Sequence, residues 1–255
     1  MAQTSDKKPI ARCAFSKVAL AKQWLRRNVE LSSLLFLAFV VVVIWAFAEL
    51  ADEVIEGATH NLDEDILLLL RTPADTAKPI GPPLLYEMAR DATALGGVAV
   101  LTLATLATAG FFLLRRQLGL MIYLLSTVAS GIMVSSIAKG IFERPRPDLV
   151  PHNSLVSTTS FPSGHSMMAA VTYLTLGVLI ARVVTDRRLK IYVLTLAMMI
   201  TILVGVSRVY LGVHWPTDVL AGWLAGSGWA VACLLGARLV LRRYQTDKTG
   251  EVPPD

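Results

Sequence analysis

Cysteine and charge are both scarce in this chain of 255 residues. It has two cysteines, Cys13 in a polar stretch and Cys233 in an apolar one, and only 17% of its residues are charged. Two cysteines allow one disulfide at most, and we expect these two not to meet. No cluster of histidine and cysteine has the spacing of a zinc site, and no cluster of carboxylates suits a hard cation. The sequence therefore predicts no disulfide framework, no metal and no other cofactor.

Apolar residues, by contrast, are abundant and unevenly placed. They make up 54% of the chain, whereas about 45–50% is usual for a soluble protein. The excess lies in long uncharged runs, which is typical of an integral membrane protein. The net charge is +5 and the pI about 9.4, but the basic residues lie at the ends of the apolar runs. This placement indicates membrane topology and contact with anionic membrane lipids rather than a nucleic-acid partner.

Six apolar runs are long enough to cross a membrane as helices. Each has roughly 17–23 residues, which suits about 30 Å of hydrocarbon, and each is continuously apolar, which excludes the alternation of barrel strands. The six predicted spans are Leu31 to about Glu49, Ala92–Leu114, Gln117–Ala138, Gly164 to about Arg182, Ile191–Ser207 and Val219–Ala237. We therefore predict an all-α integral membrane bundle with six transmembrane helices and short interfacial helices.

The distribution of lysine and arginine predicts the orientation of this bundle. If residues 1–30, 115–116, 182–190 and 238–255 share one side, that side holds 17 of the 24 basic residues. Cytoplasmic loops are enriched in such residues, so we expect both termini in the cytoplasm. We also expect the chain to lie in a bacterial plasma membrane.

This topology divides the chain into regions. They are a basic cytoplasmic segment, 1–30, the six-helix membrane domain, 31–241, and a cytoplasmic tail, 242–255. We expect an amphipathic helix over 8–27 and irregular structure from Gln245 onward. The acidic segment 51–91 is expected outside the membrane. Within it, Asn61 starts a pattern that predicts a capped helix too short to span, which we place at the outer interface.

Three short segments hold nearly all the unusual polar residues, and counting the spans places all three on the outer face. They are Lys139–Pro147, Phe161–His165 and Ser207–Asp218. Together they contain the cations Lys139, Arg146 and Arg208, which suit a phosphate because it is dianionic and has several acceptor oxygens. Arg144 is an alternative to Arg146, since each of them precedes a proline.

Two of these segments also contain a histidine beside a predicted helix start. The fourth span begins after Pro162, Ser163 and Gly164, and the unpaired backbone N–H groups and dipole of a helix start favour an anion. His165 follows, where it can protonate a leaving oxygen. In the third segment, Pro216 suits the first turn of a helix, so Asp218 can point back toward His214. A carboxylate on one ring nitrogen of His214 leaves the other free as a nucleophile.

Together these residues resemble a known family. The pattern Lys-x6-Arg-Pro, then Pro-Ser-Gly-His, then Ser-Arg-x5-His-x3-Asp, within roughly residues 95–235, resembles the type-2 phosphatidic acid phosphatase superfamily. Its register implies that Arg146, seven residues after Lys139, is the motif arginine and that Arg144 and Pro162 are accessory. The roles that the resemblance implies are phosphate binding by Lys139, Arg146, Arg208, Ser163 and Gly164, nucleophilic attack by His214, orientation by Asp218 and acid catalysis by His165.

The resemblance implies a phosphatase that acts through a phosphohistidine on a lipid phosphate or diphosphate. We expect it to need no metal, because three side-chain cations replace magnesium. The outward-facing site suits a substrate in the outer leaflet, and we expect no obligatory protein partner. Undecaprenyl diphosphate, phosphatidylglycerophosphate, phosphatidate and a lipid A phosphate all fit, and we favour undecaprenyl diphosphate or a broad specificity. One alternative is a vanadium-dependent haloperoxidase, but those members of the family are soluble. The other is a transporter or binder of lipid phosphates, which would not need the pair of His214 and Asp218.

Overall fold

The computed structural model describes residues 31–148 and 159–249. The predicted N-terminal segment 1–30, with its amphipathic helix over 8–27, and the last residues of the predicted tail lie outside the described residues. Cys13 lies outside them as well.

Eight helices and one short hairpin make up the described residues. The helices are α1 (Leu31–Ile55), α2 (His60–Leu69), α3 (Pro83–Ala94), α4 (Val98–Leu114), α5 (Leu118–Ile141), α6 (Gly164–Val183), α7 (Arg187–Tyr210) and α8 (Pro216–Thr249). Strands β1 (Arg71–Thr72) and β2 (Asp75–Pro79) pair antiparallel. The chain is thus a helical, multi-pass membrane protein, as the apolar runs predict.

Five of these helices are long and apolar enough to span a membrane singly, namely α1, α5, α6, α7 and α8 up to Leu241. The remaining predicted span, Ala92–Leu114, is not one straight helix. It comprises the end of α3 and the whole of α4, and the two helices meet at an angle of 47°. The bend falls at Gly96 and Gly97, where Gly97 is extended. A Cβ at Gly96 would lie 3.2 Å from the carbonyl oxygen of His165, so the bend brings this chain close to the start of α6.

Other helix ends also differ from the sequence prediction. Helix α1 continues past Glu49 to Ile55, and α8 runs past the predicted boundary at 241 to Thr249. Residues 245–249 are therefore helical, where the polar composition predicted irregular structure. Three residues, 115–117, join α4 to α5, and Arg116 among them has φ at 56°.

The segment between α1 and α4 contains more structure than the sequence indicated. Helix α2 begins at His60 after Thr59, which makes no side-chain capping bond, so Asn61 is inside the helix and not its cap. The hairpin of β1 and β2 was not predicted. Arg71 in β1 is buried and donates from Nη2 to the carbonyl oxygen of Tyr210, 2.8 Å away, which attaches the hairpin to the end of α7.

Helices α6 and α8 pack closely through small residues. A Cβ at Gly222 would lie 2.7 Å from the carbonyl oxygen of Ser163, and one at Gly226 would meet the carbonyl oxygen of Met167. Small residues allow such close approach between membrane helices, which associate through packing rather than through the hydrophobic effect. This contact holds the starts of α6 and α8, and therefore two of the three polar segments, in a fixed relation.

Candidate active site

The three polar segments converge at one end of the bundle. The backbone N–H of Ser163 donates to the carbonyl oxygen of Asp218, 2.9 Å away. Arg146 donates from Nη1 to the carbonyl oxygen of Val213 at 3.1 Å. The hydroxyl of Thr159 donates to the carbonyl oxygen of Lys139 at 2.9 Å. Residues up to 79 positions apart in sequence thus share one small region, from Lys139 to Asp218.

His214 and Asp218 form a buried pair. Pro216 begins α8, and Asp218 in the first turn of that helix reaches back so that its Oδ2 lies 3.3 Å from Nδ1 of His214. The same oxygen accepts from the backbone N–H of Trp215 at 2.9 Å and from the hydroxyl of Ser160. The exposed fractions are 1% for His214 and 0% for Asp218. A carboxylate held by several donors keeps the imidazole in one orientation and assigns the ring proton to Nδ1.

The other ring nitrogen of His214 faces the cations. Its Nε2 lies 3.4 Å from Nη1 of Arg146. Burial lowers the pKa of His214 to about 4, and the charges of Arg208 and Arg146 act in the same direction, while the hydrogen bond and charge of Asp218 oppose them. The imidazole is therefore neutral near pH 7, with a lone pair on Nε2. A neutral, oriented imidazole is what nucleophilic attack on phosphorus requires.

Lys139 and Arg208 lie close to Arg146, which faces this nitrogen. The charges of Arg146 and Arg208 act on Lys139, so the three cations are close enough to repel one another. Burial lowers the pKa of Arg146, although an arginine remains protonated in proteins. Arg208 donates from Nη1 to the hydroxyl of Thr93 at 3.3 Å, whereas its Nε has no partner among the described residues. Three partly buried cations favour a multiply charged anion between them.

The start of α6 supplies the remaining predicted residues. The buried Ser163 is the N-cap, and its side chain accepts from the N–H of Ser166. A Cβ at Gly164 would lie 3.3 Å from Nζ of Lys139, so glycine lets the ammonium group lie against the helix start. His165 lies close enough to Arg208, Lys139 and Arg146 to experience their charges. Pro162, which precedes Ser163, is also buried, and the peptide bond between Phe161 and Pro162 is cis.

Residues that the sequence analysis missed or underrated lie behind the pair of His214 and Asp218. Arg144, which the resemblance made accessory, donates to both Asp218 and Asp63. Asp63 was not singled out at all, because its helix was interpreted only as interfacial. Asp63 and Leu67 are both fully buried and one helical turn apart, so a carboxylate in register with a core leucine was the signal available. Ser160 and Thr217 lie there as well, and their hydroxyl groups donate to Asp218 and Asp63 respectively.

Within residues 31–148 and 159–249, no group of three histidine, cysteine, aspartate or glutamate residues is arranged to hold a metal. The fold and the site together describe a multi-pass membrane protein with a cluster of cations beside a buried histidine. A family model described as the PAP2 superfamily matches residues 119–240.

Known proteins resemble the chain over a longer stretch. It is 34% identical over 186 residues, 71% of this chain and 85% of the relative, to "Phosphatidylglycerophosphatase B" of Bacillus subtilis. It is 31% identical over 125 residues, 47% of this chain and 56% of the relative, to "Undecaprenyl-diphosphatase" of Sulfolobus acidocaldarius. A crystal structure of a transmembrane PAP2-type phosphatidylglycerolphosphate phosphatase from Bacillus subtilis matches with a TM-score of 0.68 and 31% identity, covering 80% of this chain and 98% of that one. The chain belongs to the PAP2 superfamily, and these relatives are membrane lipid phosphatases.

Proposed function

We propose that this protein hydrolyses a lipid phosphate or diphosphate through a phosphohistidine formed on Nε2 of His214. The observation that carries the proposal is the arrangement around this ring. Asp218 lies 3.3 Å from Nδ1 on one side, and the Arg146 guanidinium lies 3.4 Å from Nε2 on the other. One ring nitrogen is thus oriented, and the other faces the place where cations would hold a phosphoryl group.

The proposed first step transfers the phosphoryl group to the enzyme. The lone pair on Nε2 of His214 attacks phosphorus, the bond from phosphorus to the leaving oxygen breaks, and His165 gives that oxygen a proton. In the second step, His165 takes a proton from water, the hydroxide attacks phosphorus, and the bond from nitrogen to phosphorus breaks. Lys139, Arg146 and Arg208 neutralise the charge on the phosphoryl oxygens in both steps.

Trapping the intermediate tests this mechanism. Purified protein is mixed with a substrate labelled with ³²P on the transferred phosphate, quenched in alkali and digested, and the label is located by mass spectrometry. We expect an acid-labile phosphate on His214 in the wild type and none in His214→Ala. A label on His165 would reverse the two roles, and no label under single-turnover conditions would contradict a covalent intermediate.

The relatives and the position of the site at a membrane helix end support a lipid substrate. One relative is named for phosphatidylglycerophosphate and another for undecaprenyl diphosphate. We propose that the substrate is one of these two lipids or that the enzyme accepts both, with phosphatidate and a lipid A phosphate as further candidates. The kcat/KM for phosphate release from each of the four lipids in mixed micelles ranks them. Hydrolysis of water-soluble phosphates alone would contradict a lipid substrate.

Three side-chain cations can supply the positive charge that magnesium provides in many phosphoryl-transfer enzymes. We therefore propose that activity does not require a divalent metal. Activity toward a soluble phosphate ester should be unchanged in excess EDTA, and vanadate should inhibit, because it resembles five-coordinate phosphorus on His214. Loss of activity in EDTA that is restored by magnesium would contradict this proposal.

We also propose that both termini are cytoplasmic and that the site faces outward, in the plasma membrane of a bacterium. The 17-to-7 division of lysine and arginine supports this orientation. A single cysteine at position 153 in a cysteine-free background should react with a membrane-impermeant maleimide in intact cells. Reaction only after the membrane is broken would invert the orientation.

A further inference from the structure

A fully buried carboxylate on α2 contacts the site from outside the segment that matches the family. Asp63, with an exposed fraction of 0%, lies far before residues 119–240. Its Oδ1 accepts from the backbone N–H of Thr217 at 2.9 Å, and its Oδ2 accepts from the hydroxyl of the same threonine at 2.5 Å. Thr217 precedes Asp218 in the first turn of α8. Asp63 therefore holds the helix start that carries Asp218.

Arg144 joins Asp63 to Asp218. Its Nη2 donates to Oδ2 of Asp63 at 2.6 Å, and its Nη1 donates to Oδ1 of Asp218 at 2.8 Å and to the hydroxyl of Thr217 at 2.7 Å. Its guanidinium carbon lies 5.5 Å from the ring centroid of Trp215, which faces it in a cation–π contact. With a side chain only 11% exposed, Arg144 is held in one orientation and satisfies both carboxylates.

The charges of the group formed by Asp63, Arg144 and Asp218 do not cancel. Asp63 and Asp218 contribute two negative charges and Arg144 one positive charge, which leaves one net negative charge behind His214. When Nε2 of His214 bonds to phosphorus while Nδ1 keeps its proton, the ring gains positive charge. A negative charge beside it stabilises that state, and more strongly in a buried, low-dielectric setting than in water.

We propose that Asp63 is a positioning residue that shares Arg144 with Asp218, so that Asp218 keeps its negative charge available to the His214 ring. The inference rests on the proposed phosphohistidine mechanism. Without the Asp63 charge, Arg144 would pair with Asp218 alone, and the group would be neutral. Asp63 has no contact with Lys139, Arg146 or Arg208 among the contacts described above, so its role concerns the rate of phosphoryl transfer and not the binding of phosphate.

Asp63→Asn removes the charge with little change in shape. We expect kcat to fall about ten- to a hundredfold, the range found when an outer partner of a metal-bound histidine is removed. The KM and the inhibition constant of inorganic phosphate should stay near the wild-type values. Asp65→Asn is the matched control, because Asp65 is an exposed aspartate on the same helix, and its kcat should not change.

A double variant separates charge from simple loss of structure. In Asp63→Asn with Arg144→Gln, only Asp218 remains charged, so the net charge of the group returns to the wild-type value. We expect its kcat to exceed that of Asp63→Asn, although the double variant has lost more hydrogen bonds. A role limited to holding α2 in place predicts the opposite order, since each lost contact would lower the rate further.

The inference is overturned if Asp63→Asn keeps the wild-type kcat, if inhibition by inorganic phosphate weakens in step with kcat, or if the double variant is slower than Asp63→Asn. Thermal unfolding of each variant in detergent confirms that folded protein is compared. The trapping experiment on the wild type tests the proposed function separately. A phosphohistidine on His214 together with a wild-type kcat for Asp63→Asn would contradict this inference and leave the proposed function intact.

Discussion

Helices α1 and α6 are both long and apolar, yet their surroundings differ. In the most apolar stretch of α1 only 11% of the residues are buried, against 50% in α6. Leu31 and Trp45 of α1 are 72% and 65% exposed, whereas Ala169 and Ala170 of α6 are fully buried. An apolar side chain that faces lipid needs no protein partner, so burial in a membrane protein reports helix packing and not hydrophobicity.

The more buried of these two helices, α6, is the one that begins at the site. Helix α6 begins with Ser163, Gly164 and His165 and packs against α7 and α8, which end and begin beside His214. Catalysis requires groups held within a fraction of an ångström, and tightly packed helices provide such a support. Helix α1 exposes more of its side chains than α6 does, and α4 also has exposed residues such as Leu103. Four predictions test whether activity and stability depend on the buried part and not on such exposed residues.

The largest effect should come from removing the nucleophile. His214→Ala deletes the atom that bonds to phosphorus, so phosphate release should fall roughly 10⁴-fold or more with every substrate. Leu103→Ala in α4 is the control, because Leu103 is 71% exposed and far from the polar segments in sequence. Its rate should match the wild type in the same micelles. Substantial turnover by His214→Ala would exclude His214 as the nucleophile.

The second effect depends on the leaving group. His165→Ala should slow the release of a lipid alkoxide about 10²–10⁴-fold, the range for general acid catalysis. A nitrophenolate leaves without a proton, so its release should slow much less. The measurement is the rate against leaving-group pKa for the wild type and the variant, and the variant should show the steeper dependence. Equal slopes would mean that His165 is not the acid.

The third prediction compares two glycines on α8. A Cβ at Gly226 would meet the backbone of Met167 in α6, so Gly226→Ala should destabilise the fold by about 1–3 kcal/mol. Gly236 has no atom within 4 Å of the Cβ position, and Gly236→Ala should be neutral or stabilising by about 0.5–1 kcal/mol through its helix propensity. Thermal unfolding in detergent measures both. A similar stability for the two variants would mean that close contact between α6 and α8 is not required.

The smallest effect is expected when the pH is lowered from 7 to 5, because the ring of His214 should stay mostly neutral. Because burial lowers the pKa of His214 to about 4, about 90% of this side chain should remain neutral at pH 5, whereas a histidine with the ordinary pKa would be about 3% neutral. Nitrogen NMR of protein labelled with [¹⁵N]histidine, assigned by comparison with His214→Ala, detects the charge of the ring. A ring that becomes protonated between pH 7 and pH 6 would show that the site is more hydrated than its 1% exposure indicates.

The sequence predicted some features of the site correctly and missed one feature of the fold. The four-residue spacing of His214 and Asp218, with Pro216 between them, was enough to place the carboxylate beside the ring, since the first turn of a helix has a fixed geometry. The bend at Gly96 and Gly97 was missed, because the apolar run continues through it. Hydropathy measures composition and does not detect a bend between two apolar helices.

The sequence by itself determined the number and approximate extent of the spans, because the thickness of the hydrocarbon sets how many apolar residues a helix needs. It also determined that the three polar segments share one side, because either no crossing or two crossings of the membrane separate one segment from the next. Only the tertiary structure decided that Asp63 reaches Arg144, 81 positions away. That contact depends on how α2 packs over the start of α8, and no local pattern in either segment encodes the distance between them.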